Sequence, residues 1–230
     1  MDKESYRHEL KFICSETELQ LIENRIKHIC RKDSHADSDG IYCIRSLYFD
    51  TYGDSCLMEN LAGVDNRHKY RIRTYNDSTD VIKLERKSSL RGLKRKDACL
   101  ITKEQCEQII DGANVENITE GQEVLKEFLL EQKLTLLMPK VIVEYRRTPY
   151  VYPIGNVRIT FDRDITSSDC RDFFDKEIPR RCVMPHYKHI LEVKYDEILP
   201  SAILELINSS FDLQRTSFSK YALCREYSIQ

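Results

Sequence analysis

The chain has 230 residues, with 36 basic and 38 acidic side chains. Because the overall charge is nearly balanced, any local cluster of basic residues is informative and does not simply reflect a basic composition. No apolar run approaches the roughly 18–20 residues of a membrane-spanning helix, so no membrane segment is expected. Nine cysteines without a C-x-x-C pair predict free thiols in a reducing cytoplasm, and the length predicts one domain over residues 1–230.

The spacing of apolar and polar residues predicts eight strands and four helices. The first helix begins at Ser15, a capping residue that Glu18 follows three positions later. In chain order, the predicted elements are a strand over 7–13, a helix over 15–30, strands over 42–49, 68–75, 80–87 and 93–100, helices over 102–112 and 123–134, strands over 140–147, 156–163 and 189–195, and a helix over 200–211. The segment 164–188 is predicted to be a long irregular connection or lid. These elements indicate an α+β protein.

Like charges occur at every second residue in HKYRIRTYNDSTDVIKLERK, residues 68–87. A period of two places side chains on one face of a β-strand. The residues on that face are Lys69, Arg71 and Arg73, followed by Lys83, Glu85 and Lys87. An ordinary β-sandwich could turn these charges to water. If the helices instead pack outside a closed sheet, the charges point inward and form a cationic lumen.

A cationic lumen is unfavourable without a ligand. Two cations about 5 Å apart repel each other by about 3 kcal/mol at an effective dielectric of about 20. Burial adds a desolvation cost. Arginine forks grip phosphate oxygens and lysines supply compact charge. The alternation is therefore interpreted as a wall that binds phosphate groups.

Eight short motifs occur in the order typical of VTC-type polyphosphate polymerase domains. They are RHELKF, SLYFDT, KYRIRTY, IKLERK, VEYRR, RITFDRDI, ILEVKYDE and SFSKYALCRE, and they extend from about residue 6 to residue 227. The chain thus resembles this family, which belongs to the triphosphate tunnel metalloenzyme (CYTH-like) superfamily. The resemblance implies an eight-stranded antiparallel β-barrel that forms a basic tunnel, with helices packed outside.

The resemblance also implies roles for individual residues. The implied substrate-binding residues are Lys11, Arg71, Arg73, Lys83, Lys94 and Arg158. Lys220 and Arg147 are the implied catalytic residues, and Glu192 is the implied ligand of a divalent metal, Mn²⁺ or Mg²⁺. Some of these residues also have purely structural interpretations. Lys94 could be a solvated hairpin lysine and Lys220 could start a surface helix. Arg158 could form an ion pair with Asp162.

The chain departs from the pattern of hydrolytic tunnel enzymes, which carry E-x-E-x-K on the first strand and a second glutamate pair late in the chain. Here the first strand reads R-x-E-x-K from Arg7, and the late strand reads E-x-K from Glu192. Fewer carboxylates favour transfer between phosphates over hydrolysis by a metal-activated water. The chain also departs from the polymerase pattern, because Ser217 stands where polymerases of the family tend to have a basic residue; Arg215 is the candidate substitute.

The resulting interpretation is a polyphosphate polymerase that transfers the γ-phosphate of a nucleoside triphosphate, such as ATP, to inorganic polyphosphate. Two alternatives stay open: hydrolysis of triphosphate or polyphosphate, and a non-catalytic regulatory module that binds polyphosphate or nucleotides. No nucleic-acid-binding motif accompanies the cations, so nucleic acid is not an expected partner. A membrane or regulatory partner protein is compatible with a soluble cytoplasmic domain.

Overall fold

The computed structural model describes residues 6–33, 40–169, 172–208 and 213–229. Its strands are β1 (His8–Ser15), β2 (Arg31–Lys32), β3 (Tyr42–Asp50), β4 (Arg67–Tyr75), β5 (Ser78–Leu90), β6 (Leu93–Ile101), β7 (Met138–Tyr152), β8 (Val157–Ser168), β9 (Arg181–Cys182) and β10 (Lys188–Tyr195). Its helices are α1 (Glu16–Ile26), α2 (Ser55–Leu61), α3 (Lys103–Ile110), α4 (Glu123–Thr135), α5 (Ser201–Asn208) and α6 (Lys220–Ile229). All eight predicted strands are present, and the four predicted helices correspond to α1, α3, α4 and α5. Residues 209–211 of the last predicted helix lie outside the described residues.

Eight long strands form one antiparallel sheet in the order β1-β10-β8-β7-β3-β4-β5-β6, and β2 and β9 pair with β7 and β8. The sheet curls until its first and last strands meet at one end. Two backbone hydrogen bonds join Arg7 to Lys94 there, with N···O distances of 2.9 and 3.1 Å. The predicted α+β fold with an eight-stranded antiparallel tunnel is confirmed.

Two tight turns and one shift in strand pairing set the register of the strands that carry most of the cations. Asn76 and Asp77 connect β4 to β5 with φ angles of 51° and 52°, and Arg91 and Gly92 connect β5 to β6 with φ angles of 50° and 78°. Two consecutive left-handed residues are typical of type I′ hairpin turns, whose twist matches that of the paired strands. The β4–β5 pairing shifts its register just beyond the first turn, and this shift places the charged residues of β4 directly opposite those of β5.

The helices α1, α3, α4 and α5 lie on the outer face of the sheet, whereas α2 packs against the inner-face cluster that also contains α6. On β3 to β6, the ring of Phe128 from α4 contacts Phe49 and Tyr70 edge to face, with centroids 5.0 and 5.1 Å apart. On β1, β8 and β10, α1 and α5 bury a second cluster that includes Leu19 and Ile203. Each such apolar side chain contributes about 1.5–3 kcal/mol on burial. Since the apolar faces are covered from outside, the alternate residues of these strands point inward. No helix among the described residues is long and apolar enough to cross a membrane.

The C-terminal helix α6 packs against the inner face of the sheet and is not among the predicted helices. Tyr221 and Cys224 are buried and belong to one cluster with Val141 and Val143, from the inner face of β7. The helix α6 contacts β7, β8 and α2, so it is buried on more than one side. Its sequence therefore lacks the single apolar stripe by which a surface helix is recognised. Lys220 therefore starts a buried helix, and its interpretation as the start of a surface helix is wrong.

Two further parts of the sequence interpretation need correction. The strand β8 continues to Ser168 and pairs with β9, so residues 164–168 are sheet rather than irregular connection. Phe173 and Ile178 are buried in the core cluster under α3 and α4, whereas residues 170–171 lie outside the described residues. The helix α2 is not among the predicted helices; it has only seven residues, and its N-cap Asp54 has a φ of 55° and forms no side-chain capping hydrogen bond.

Candidate anion-binding site in the tunnel

The inner face of the tunnel carries many more cations than carboxylates. Among the described residues, the strand register and the start of α6 place these cations there: Lys11, Arg67, Lys69, Arg71, Arg73, Lys83, Lys87, Lys94, Lys96, Arg147, Arg158, Lys194 and Lys220. The carboxylates that lie among them are Glu9, Glu85, Asp162 and Glu192, and Asp50 is buried nearby against Tyr221 of α6. Every residue for which the sequence implies a site role therefore faces the interior.

Arg71 and Arg73 lie inside the tunnel and share one buried carboxylate. Arg71 donates from Nε to Glu85 Oε2 at 2.7 Å, and its Nη2 lies 2.6 Å from the same oxygen. Arg73 Nη1 lies 3.8 Å from Glu85, and its Nη2 donates to Tyr145 Oη at 3.3 Å. Burial alone would raise the pKa of Glu85, but Arg71 and Arg73 outweigh it and hold that pKa well below its usual range. The ionised Glu85 therefore offsets the repulsion between the two guanidinium groups.

Arg147 and Lys220 converge on a second buried carboxylate. Arg147 donates from Nε and Nη2 to the two oxygens of Asp162 at 2.6 and 2.8 Å. Lys220 Nζ lies 2.6 Å from Asp162 Oδ2 and 4.9 Å from the centroid of the Tyr145 ring. Burial opposes the charge on Lys220, but Asp162 outweighs it and raises the pKa of the lysine. Both predicted catalytic cations are thus charged and held side by side.

A third group of charges joins β1, β5 and β10. Lys87 Nζ lies 3.1 Å from Glu9, and Lys11 Nζ lies 3.5 Å from Glu9. Lys194 Nζ lies 2.8 Å from Glu192. Burial lowers the pKa of Lys87 to about 7, although Glu9 acts in the opposite direction. Lys87 therefore titrates near neutral pH.

Glu192 and Glu9 are the carboxylates that fit a divalent metal. They are diagonal neighbours on paired strands, since Glu9 faces Lys194 and Glu192 faces Lys11. Burial raises the pKa of each, but the surrounding lysines outweigh it and keep both carboxylates ionised. The described residues contain no group of three or more His, Cys, Asp or Glu side chains that could hold a metal. Mg²⁺ usually takes only one or two protein carboxylates and completes its shell with phosphate oxygens and water. The pair therefore fits a metal that is bound together with a phosphate ligand.

One mouth of the tunnel opens into a cavity of about 370 Å³. The cations that line it are Lys11, Arg67, Lys69, Lys87, Lys94 and Arg215. Within the described chain, Lys69 has no carboxylate at ion-pair distance; its Nζ donates to Ser219 Oγ at 3.3 Å and lies 5.1 Å from the centroid of the Tyr221 ring. Burial, with Lys87 and Lys11 nearby, holds the pKa of Lys69 well below its usual value. An anion in this cavity would relieve that unfavourable electrostatic state.

Lys83, Lys94 and Arg158 lie nearer the ends of the tunnel. Lys83 lies over an aromatic ring at 5.6 Å and makes no ion pair within the described residues. Lys94 lines the mouth cavity, so it is more than a solvated hairpin lysine. Arg158 pairs with Asp33 at 2.8 Å rather than with Asp162. Arg158 is thus separated from the ion pairs that hold the other arginines.

Two carboxylates that organise the site have no implied role in the sequence interpretation. Glu85 already stands on the charged face in the alternating pattern, and one acid between two lysines is a signal for an internal counter-ion. Asp162 lies in RITFDRDI, but only the register of β7 and β8 brings it opposite Arg147. Ser217 and Arg215 both line the mouth cavity, so a cation two residues from Ser217 does reach that region.

The chain was compared with protein families and with solved structures. The model of the VTC domain matches residues 6–229. The chain belongs to the VTC domain family. The fold of this VTC domain resembles that of HpAC1 from Hippeastrum, a candidate adenylyl cyclase described as having a dominant triphosphatase activity, with a TM-score of 0.55, 16% identity, and coverage of 96% of this chain and 95% of that chain. It also resembles a candidate adenylate cyclase from Bacillus halodurans, with a TM-score of 0.50, 14% identity, and coverage of 83% and 81%.

No curated protein sequence matches the chain. At such low identities, the two structural likenesses show the fold alone. The family match confirms the predicted resemblance to VTC-type domains, and the shared fold agrees with the predicted tunnel architecture.

Proposed function

We propose that this VTC domain is a polyphosphate polymerase, a metal-dependent phosphotransferase that moves the γ-phosphate of a nucleoside triphosphate to inorganic polyphosphate. The observation that carries the proposal is the excess of lysines and arginines over carboxylates on the inner face of the described tunnel strands. Lys69 in particular lacks a carboxylate partner in the described chain. Polyphosphate is a flexible chain with a negative charge on each phosphate unit. Such a chain can neutralise the excess positive charge along the whole tunnel.

The reaction needs positioning and charge stabilisation more than proton transfer. Lysines and arginines of the tunnel bind the phosphates, namely Lys11, Arg71, Arg73, Lys83, Lys94 and, at the far end, Arg158. The terminal oxygen of the polyphosphate chain attacks the γ-phosphorus in line and forms a new P–O bond. The bond from that phosphorus to the bridging oxygen breaks, and the nucleoside diphosphate leaves with the electron pair. Lys220 and Arg147 lie beside the transferred group and stabilise its negative charge.

Glu192, with Glu9 beside it, would hold the divalent metal, Mn²⁺ or Mg²⁺. A metal bound there neutralises charge on the phosphate oxygens. Lys194 must then release Glu192, and its side chain, 32% exposed, has room to turn toward solvent. No protein nucleophile or general base is needed, because the oxygens of polyphosphate are already ionised.

Hydrolysis of triphosphate or polyphosphate is the second candidate function. It is favoured by the fold shared with the Hippeastrum protein, which is described as having a dominant triphosphatase activity. The adjacent carboxylates Glu9 and Glu192 also favour it, because they could hold a metal that activates water. Against it, Glu85 and Asp162 are tied to arginines at 2.6–2.7 Å and are not free to bind a metal.

One assay separates these functions. Purified protein is incubated with ATP and Mn²⁺, the products are run on a polyphosphate gel, and free phosphate is measured. A ladder of chains together with ADP is the expected result. Release of phosphate without a ladder would overturn the polymerase in favour of the hydrolase. Tight binding of tripolyphosphate with neither product would indicate a non-catalytic binding module.

A further inference from the structure

The cavity at the tunnel mouth is lined by two chemically different groups of residues. One group is the set of lysines and arginines described above, which suits phosphate. The second group contributes no charge: Cys56 and Asn60 from α2, and Phe218 from the segment that precedes α6. Together they offer a thiol, an amide and an aromatic ring. An inorganic phosphate chain can accept hydrogen bonds from the amide but gains nothing from the thiol or the ring, whereas a nucleotide base can contact all three groups.

We propose that the uncharged part of this cavity binds the base of the nucleoside triphosphate, and that Asn60 makes adenine the preferred base. The proposal rests on the proposed function, because it names the donor of the transferred phosphate. The cavity of about 370 Å³ is within the range of small-molecule sites, and its cationic side leads into the tunnel. A bound nucleotide would thus lie with its base at the mouth and its phosphates on the lysines.

Asn60 supplies the hydrogen-bonding group. Its side chain forms no hydrogen bond to any other described residue, so its amide is available to a ligand. An amide carries both a donor and an acceptor. Adenine presents a donor and an acceptor on one edge, at N6 and N7, and an asparagine can bond to both at once. Guanine presents two acceptors on the same edge, so the oxygen of the amide would find no donor there.

Phe218 supplies a fixed surface for stacking. Its backbone carbonyl accepts a hydrogen bond from Lys11 Nζ at 2.9 Å, which ties the segment to a phosphate-binding lysine. Its ring is partly buried against the cluster around α6. Aromatic rings bind the faces of all bases, so Phe218 adds affinity without choosing between them. Burial, and then Asp50, raises the pKa of the Cys56 thiol to about 12, so Cys56 is neutral and offers an apolar contact.

The test measures the dissociation constants of ATP, GTP and inorganic tripolyphosphate at fixed Mg²⁺ concentration and ionic strength. It compares the wild-type protein with Asn60→Ala and Phe218→Leu, the latter keeping an apolar side chain without the aromatic face. The control is Asn114→Ala, an exposed asparagine that does not line the mouth cavity. The test measures binding and not turnover. It can therefore still succeed or fail if the protein does not extend polyphosphate chains.

We expect Asn60→Ala to weaken ATP binding by about three- to tenfold, the loss typical of a hydrogen bond, and to leave tripolyphosphate binding within about twofold. The preference of the wild type for ATP over GTP should disappear in this variant. Phe218→Leu should weaken ATP and GTP binding equally, by roughly tenfold. Equal losses for ATP and tripolyphosphate, or no loss for either, would overturn the base site. Equal wild-type affinities for ATP and GTP would overturn the role given to Asn60.

Discussion

Lys220 Nζ lies 2.6 Å from Asp162 Oδ2, so the first residue of α6 is tied to β8 inside the tunnel. The same carboxylate receives both hydrogen bonds of Arg147, from β7. Three separate elements thereby converge on one anion and bring two cations together. Other contacts hold the helix in place, since Arg225 donates to Asp54 at 2.8 Å. The cations are therefore preorganised before a substrate binds.

Replacing Lys220 with methionine should reduce the rate of chain growth by at least about 100-fold, because one group that stabilises the charge of the transferred phosphate is removed. Tripolyphosphate affinity should change by less than about fivefold, since most of the binding cations remain. Asp162 keeps Arg147 as its partner, so the protein should stay folded. The matched control is Lys133→Met on the exposed face of α4. Wild-type turnover of Lys220→Met would rule out a catalytic role for Lys220.

Arg71 and Arg158 should differ in their importance for binding. Arg71 lies inside the tunnel on the buried Glu85, whereas Arg158 pairs with Asp33 and its side chain is 39% exposed. Arg71→Ala should weaken tripolyphosphate binding by about 10- to 100-fold, the range expected for a charge-assisted bidentate contact. Arg158→Ala should weaken it by only about two- to threefold, because solvent screens its charge. Titration calorimetry of both variants at one ionic strength checks this order, and the reverse order would contradict the assignment of the binding wall.

The shared face of Arg71 and Arg73 can be predicted from the sequence, because side chains two residues apart in a strand always point the same way. The partner of these arginines is harder to predict, since Glu85 faces Arg71 only because the pairing of β4 with β5 shifts its register between Arg73 and Tyr75, close to the turn at 76–77. Asp162 is harder still. It lies 15 residues from Arg147, and a register shift within the β7–β8 pair decides which residues face each other. The burial of Lys220 depends on the position at which α6 packs inside the sheet. The spacing of apolar residues along the chain does not predict that position.

Anion binding should be coupled to proton uptake by Lys87. Burial lowers the pKa of this lysine to about 7, so at pH 8 most of it is neutral in the free protein. A bound phosphate stabilises the charged form and raises that pKa again, so binding at pH 8 should take up close to one proton at Lys87. At pH 6 Lys87 is already charged in the free protein, so anion binding should cause no further proton uptake at this residue. Affinity should therefore fall as the pH rises above about 7.

The measurement is calorimetry of tripolyphosphate binding in two buffers with different ionisation enthalpies, with a chelator present so that no metal competes for Glu9. The comparison variant is Lys87→Arg, which keeps a positive charge at every pH tested. The difference between wild type and variant removes the titration of the ligand itself. An identical proton count for both proteins at pH 8 would show that Lys87 does not titrate on binding.

Glu192 should control metal binding without controlling phosphate binding. Glu192→Gln removes one of two adjacent carboxylates, so Mn²⁺ affinity measured by electron paramagnetic resonance with tripolyphosphate present should fall by at least about tenfold. Tripolyphosphate affinity measured without metal should stay equal or increase, because a negative charge leaves the tunnel while Lys194 loses its partner at 2.8 Å. Glu107→Gln, on the exposed face of α3, is the control and should change neither quantity. If Glu192→Gln binds Mn²⁺ as tightly as the wild type does, the metal ligands lie elsewhere and the pair Glu9–Glu192 is only a counter-charge for the lysines.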